Sequence, residues 1–183
     1  VERHHFNQSV MLYSNDTFDE AAVKSIFQKI QEHHDVLRVS YKFDNGPAKQ
    51  QNNGLDHALG LEVFDYRELP IDRAIEQMET SCLQIQKNAD LENGPFMRLG
   101  LFKLSDGDRL LITIHHLVID GVSWRILFED IKTLFEHYKS GDQFKLPAKT
   151  DSFKHWATEL KKIAEDDIII KETDYWNGVL QQS

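Results

Sequence analysis

The sequence predicts an α/β sandwich, a mixed β-sheet with flanking helices. Strand-like stretches, apolar at every second position, interleave with helical stretches whose apolar residues recur every three or four positions. Two of the strand-like segments, 96–104 and 109–116, are separated only by Ser105-Asp106-Gly107-Asp108, a hairpin signal that requires an antiparallel pair. The second of them stops at a short loop and gives way to a long amphipathic helix, as where a sheet is covered by helices.

In chain order, residues 1–13 read as a strand. Thr17 and Glu20 have the spacing of a capping box, and the helix after them turns Phe18, Ala22, Ile26, Phe27 and Ile30 inward. Leu37, Val39, Tyr41 and Phe43 alternate with Arg38, Ser40 and Lys42, the pattern of a half-buried strand. Asp44-Asn45-Gly46-Pro47 is a turn, residues 49–60 are polar and weakly patterned, and 61–64 form a short strand. Pro70 suits the first turn of a helix. That helix keeps Ile71, Ala74, Ile75, Met78, Cys82, Ile85 and Ala89 on one face, a core stripe. Gly94-Pro95 breaks the chain before the hairpin, and Gly141 ends the helix that follows it. Thr150 or Asp151 caps a further helix bearing Phe153, Trp156, Leu160 and Ile163, and residues 173–182 form a last short helix. Residues 166–170 are assigned to no element. There is no internal repeat and no low-complexity segment.

Composition narrows the function classes. Of 183 residues, 40% are hydrophobic and 28% charged, which is enough apolar material for a real core. Thirty acidic residues against 21 basic give a net charge of −9. Nucleic acid is a poor partner for that balance, because neutralising phosphates needs Lys and Arg. Cys82 is the single cysteine, so no intrachain disulfide forms, and its place on the apolar stripe makes it a small buried hydrophobe. No stretch resembles a signal peptide or a membrane span, and the cytosol is the expected location.

The stretch from Leu110 to Tyr138 carries the chemistry. Leu110, Ile112, Ile114 and His116 share one strand face, and Leu111, Thr113 and His115 share the other. The first face is apolar until His116, which is therefore expected to point along the buried side, into a pocket. Imidazole titrates near neutrality and can take a proton at cell pH. Asp120 is an orienting group by type and spacing, Gly121 permits a positive φ or a close backbone approach, and Ser123 is expected to cap the helix. Trp124, Leu127, Phe128, Ile131, Leu134, Phe135 and Tyr138 then form its apolar stripe. Two other readings stand beside this one. A histidine after a buried strand can be structural, bonded to backbone. A His-His pair can also bind metal, although the carboxylate follows in a loop and no H-E-x-x-H or cysteine cluster supports zinc.

His115-His116-Leu117-Val118-Ile119-Asp120-Gly121 resembles the HHxxxDG signature of the condensation-domain superfamily of nonribosomal peptide synthetases. Three further segments match in order. His33-His34-Asp35-Val36-Leu37-Arg38 is similar to the family's H-x-x-L-R element, and Asp90-Leu91-Glu92-Asn93-Gly94-Pro95 to its D-L-x-x-G-P element. Ser152-Phe153 to Trp156, with Tyr175-Trp176, resembles the segment closing its N-terminal lobe. Arg3-His4-His5-Phe6-Asn7-Gln8-Ser9 and Asp120-Gly121-Val122-Ser123-Trp124-Arg125 resemble the epimerisation branch rather than the peptide-forming one.

The resemblance implies a chloramphenicol acetyltransferase-like fold. Residues 1–183 would be the N-terminal lobe of a two-lobed domain, without its first helix and its C-terminal lobe. Such a chain is an excised fragment or a natural half that pairs with another chain. It would expose an apolar face and self-associate. The resemblance makes His116 the acid/base, with His115, Asp120, Gly121, Ser123 and Arg38 orienting the site and Arg38 paired with Asp120. The resemblance implies no directly bound metal or cofactor. The substrate rides on the phosphopantetheine arm of a carrier protein, and adenylation and condensation domains are neighbours. Epimerisation of a carrier-bound L-aminoacyl or L-peptidyl thioester is the implied reaction. Amide formation by a condensation domain, or a carrier-docking lobe without turnover, are the alternatives.

Overall fold

A computed structural model of the chain describes residues 6–43, 46–55 and 59–181. Arg3, His4, His5, Asp44, Asn45 and Gln182, which entered the sequence readings, lie outside them. Residues 1–146 and 147–183 form two compact units.

The first unit is a four-stranded sheet in the order β1-β6-β5-β4. Its strands are β1 (Asn7–Ser14), β4 (Gly60–Asp65), β5 (Met97–Leu104) and β6 (Gly107–His115). β6 runs antiparallel to both β1 and β5, whereas β4 and β5 are parallel. The sheet is mixed, as the interleaved periodicities predict. β2 (Val39–Lys42) and β3 (Lys49–Asn52) make a separate antiparallel ribbon.

Helices cover both faces. On one, α1 (Glu20–His33) and α3 (Gly121–Ser140) bury Ile26, Phe27, Ile30, Leu127 and Leu134 against Leu99, Leu101, Leu110, Ile112 and Ile114. On the other, α2 (Ile71–Lys87) sets Ala74 and Ile85 on Phe102, Leu104 and Leu111, and Phe64 stacks on Phe102 at 5.0 Å. The central β5–β6 hairpin is thus buried on both faces, which is why it reads as a nearly continuous apolar run.

Caps differ from expectation. Asp19, not Thr17, caps α1, accepting from the Ala21 and Ala22 N–H groups at 2.8 and 3.2 Å. The other Asp19 carboxylate oxygen accepts from the Tyr138 hydroxyl at 2.8 Å, tying α1 to α3. That bond, with the Ala22 and Ala21 amides, holds the Asp19 carboxyl below its ordinary value of 3.8. A depressed carboxyl adds stability above the unfolded value and loses it as pH falls through the folded one. The stability gap between wild type and Tyr138→Phe should therefore be largest above 3.8 and close on acidification. Urea denaturation across the acid range checks this; a gap that does not change with pH counts against the bond.

Cys82 lies half-buried on α2, and burial, aided by Glu79, pushes its thiol up to about 11 from 9.0. Alkylation of the folded chain at about pH 8 should run roughly 100-fold slower than in denaturant, since the thiolate is the nucleophile. Equal rates would mean that α2 opens freely.

The second unit holds α4 (Phe153–Ala164) and α5 (Asp167–Gln181). Ser152 caps α4, accepting from the His155 N–H at 3.1 Å, rather than Thr150 or Asp151. α5 begins at Asp167, so the run Ile168–Ile170 belongs to its first turn. Neither helix contains a buried residue, and Trp156, Leu160, Ile163, Trp176 and Leu180 are exposed. Among the described residues no helix is long and apolar enough to cross a membrane.

Candidate functional site

The β5–β6 hairpin delivers the two histidines to the end of the sheet. β6 finishes at His115, and the backbone turns there: the Val118 N–H donates to the His115 carbonyl at 3.0 Å. His116 still pairs with the segment leading into β1, its N–H donating to the Phe6 carbonyl at 2.7 Å.

The strand face opposite His116 is as buried as its own, because α2 covers it. His115 is 2% exposed. Its Nδ1 accepts from the Leu117 N–H at 3.2 Å, which fixes the turn, and its ring tilts against Phe96 at 5.8 Å. His116 is the more open of the pair, half-buried rather than sunk into the core. The expected buried orientation is corrected to that extent, and the cause is the end of the strand one residue earlier. Phe6 stacks on the His116 ring at 4.9 Å. Nδ1 of His116 lies 2.8 Å from the Ile119 carbonyl, and Nε2 lies 3.2 Å from the side-chain nitrogen of Gln8.

Asp120, not Ser123, caps α3. Its Oδ1 accepts from both the Ser123 N–H at 2.7 Å and the Ser123 hydroxyl at 2.6 Å. A carboxylate is the stronger acceptor of the two candidates and also meets the positive end of the helix dipole. The Ser123 hydroxyl and N–H hold the Asp120 carboxyl below its ordinary value, and His116 adds a small pull in the same direction.

The implied Arg38–Asp120 pair is not formed. Leu37 and Arg38 lie in a 3-10 turn, Asp35–Arg38, rather than in β2. From there the guanidinium turns back on the end of α1. It donates to the Gln31 carbonyl at 2.9 Å, the Glu32 carbonyl at 3.5 Å and the Asn53 carbonyl at 2.7 Å. Carbonyls at a helix C-terminus attract a cation, so Arg38 anchors the α1–β2 corner. Gly121 is also corrected: its φ is not positive, and a Cβ built there meets nothing within 4 Å. Among the described residues nothing requires glycine at that position.

His33, His34 and Asp130 form a second group whose ligand-type atoms lie within 4.8 Å of one another. Its short contact, His34 Nε2 to Asp130 Oδ2, is 2.7 Å. Ligands of one tetrahedral zinc ion sit about 3.3 Å apart, so this is a hydrogen bond between α1 and α3.

Sequence patterning assigns no role at the site to two contributors, Gln8 and Trp124. Gln8 belongs to the opening Asn-Gln segment, and its Oε1 accepts from the Trp124 indole N–H at 2.8 Å. Trp124 also packs on the core as part of the apolar stripe of α3. The available signal was that a buried indole N–H usually finds an acceptor.

An α/β sandwich whose central hairpin carries a half-buried histidine past its last strand residue, beside the start of a long helix, defines a chloramphenicol acetyltransferase-like domain. The chain belongs to the condensation-domain family, whose model matches residues 1–183. It is 46% identical over 180 residues to tyrocidine synthase 2 of Brevibacillus parabrevis, covering 98% of this chain and 5% of that one. To gramicidin S synthase 1 of Brevibacillus brevis it is 42% identical over 177 residues, covering 95% and 16%. The crystal structure of the epimerization domain from the third module of tyrocidine synthetase B superposes with a TM-score of 0.93 at 44% identity, over 100% of this chain and 42% of that one. The first condensation domain of the calcium-dependent antibiotic synthetase shares the fold, with a TM-score of 0.79 at 15% identity over 98% of this chain and 43% of that one. The chain therefore spans less than half of each relative, and only 5% and 16% of the two synthases.

Proposed function

We propose that the chain is the N-terminal lobe of an epimerisation domain in a nonribosomal peptide synthetase. The contrast in identity carries this reading: 44% over the whole chain to an epimerization domain against 15% to a condensation domain of the same fold. The substrate would be an L-aminoacyl or L-peptidyl thioester on the phosphopantetheine arm of a carrier protein, with adenylation and condensation domains as neighbours in the synthetase.

His116 supplies one side of the chemistry. Its Nε2 takes the α-proton as the Cα–H bond breaks, and the electron pair moves into the thioester carbonyl as an enolate. A proton delivered to the opposite face of Cα restores the thioester in the D form. The resemblance assigns that second group to a glutamate of the other lobe. A thioester acidifies its α-proton, so one aligned base and stabilisation of the enolate oxygen suffice. Asp120 and His115 shape the loop and do not face the reacting atoms.

The test uses the complete domain. Incubated in deuterated water with its carrier-bound L-thioester, it should wash deuterium into the α-position without any acceptor amine. A condensation domain, the reading that the family name itself favours, would show no exchange and would form product only with a second, acceptor-loaded carrier. The 183-residue chain alone should show neither reaction. Binding of a carrier by that chain without turnover would leave it the role of a docking lobe.

A further inference from the structure

Gln8 stands on β1 opposite Ile114, and its amide lies between two rings. Its oxygen is 2.8 Å from the Trp124 indole nitrogen, and its nitrogen is 3.2 Å from Nε2 of His116. On the far side of the imidazole, Nδ1 is 2.8 Å from the Ile119 carbonyl. The ends of this series fix every polarity within it. An indole N–H only donates, so the amide oxygen must face Trp124 and the amide NH2 must face His116. A peptide carbonyl only accepts, so Nδ1 carries the imidazole proton. Nε2 is left with a lone pair, and that lone pair accepts from Gln8.

We propose that Gln8 is a positioning residue: held by Trp124, its amide acts with the Ile119 carbonyl to select the Nδ1–H tautomer of His116 and presents the Nε2 lone pair to substrate. This rests on the reading of His116 as the proton acceptor. The opposite tautomer would set an Nε2–H against the Gln8 NH2. Rotating the amide to relieve that clash would set the NH2 against the indole N–H instead. Phe6, stacked on the ring, keeps it in the plane that Gln8 addresses. When substrate docks, its Cα–H takes the place of the amide donor at Nε2. Once Nε2 has accepted the proton, it faces a donor again, which favours handing the proton on or back. Asp120 is the charged group that His116 influences, and it is occupied as the α3 cap.

The ring nitrogens of His116 report the tautomer directly by ¹⁵N NMR of the 183-residue chain at about pH 9, where an imidazole is neutral. Wild type should show the proton on Nδ1. Gln8→Glu keeps the shape but replaces the donor by a carboxylate oxygen, which binds an N–H more strongly than the Ile119 carbonyl does. The proton should move to Nε2. Trp124→Phe frees the amide to rotate and should raise the Nε2–H share, with the Ile119 carbonyl still favouring Nδ1–H, so the result does not rest on one variant. In the complete domain, Gln8→Glu should lower kcat for α-deuterium exchange by roughly 10²-fold with KM unchanged, the size of a lost acid/base contribution. A proton that stays on Nδ1 in both variants overturns the proposal, as does wild-type kcat in Gln8→Glu. A wild-type domain without exchange would remove the epimerase reading and leave the tautomer result standing.

Discussion

In the complete domain, His116→Ala should cut α-deuterium exchange by roughly 10²–10⁴-fold, the contribution of one positioned acid/base. The expectation follows from access and bonding. His116 is half-buried at the end of β6, and its Nε2 is the ring atom left with a lone pair once Nδ1 bonds the Ile119 carbonyl. His115→Ala is the matched control. That ring is 2% exposed and holds the turn through the Leu117 N–H, so its loss should cost on the order of 2–4 kcal/mol of stability. Exchange per folded molecule should change far less than in His116→Ala. Denaturation and exchange measured on the same samples separate the two effects. Exchange that survives loss of His116 would remove it from the proton transfer.

The parts of this architecture set by local periodicity could be read in the sequence. The β5–β6 hairpin, the apolar stripes of α1, α2 and α3, and the delivery of two histidines to a strand end all follow from residues a few positions apart. What failed depended on where a long side chain finds its partners. The alternation of Leu37, Val39 and Tyr41 implied a strand through Arg38, but the guanidinium bonds back to carbonyls at the end of α1, and Asp35–Arg38 forms a 3-10 turn. At the start of α3, Asp120 and Ser123 are both capping types, and only the backbone shows which one accepts. Gln8 and His116 are 108 positions apart and meet because β1 pairs with β6. Their contact needs the strand register, which no stretch of local sequence contains.

Two glycines make opposite predictions. Gly107→Ala should destabilise the first unit by about 3 kcal/mol, through backbone strain and overpacking together. Gly107 adopts φ +123°, a conformation that side-chain-bearing residues rarely enter. A Cβ there would also lie 2.4 Å from the Ser14 carbonyl oxygen and 3.1 Å from the Tyr13 ring, both on β1. That oxygen is backbone in a paired strand and cannot yield without disturbing the Ser14–Asp108 register. Melting should fall by about 6–12 °C for a chain of this size. Gly121→Ala places its methyl in open space at the first turn of α3, with φ in the ordinary range, and should leave stability unchanged or raise it by up to about 1 kcal/mol. Thermal melts of both variants decide the structural half of the question. The other half is decided by exchange in the complete domain: a Gly121→Ala variant that melts normally yet exchanges slowly would show that the space above α3 belongs to the bound thioester. Equal melting of Gly107→Ala and wild type would mean that the hairpin turn relaxes into another conformation at little cost.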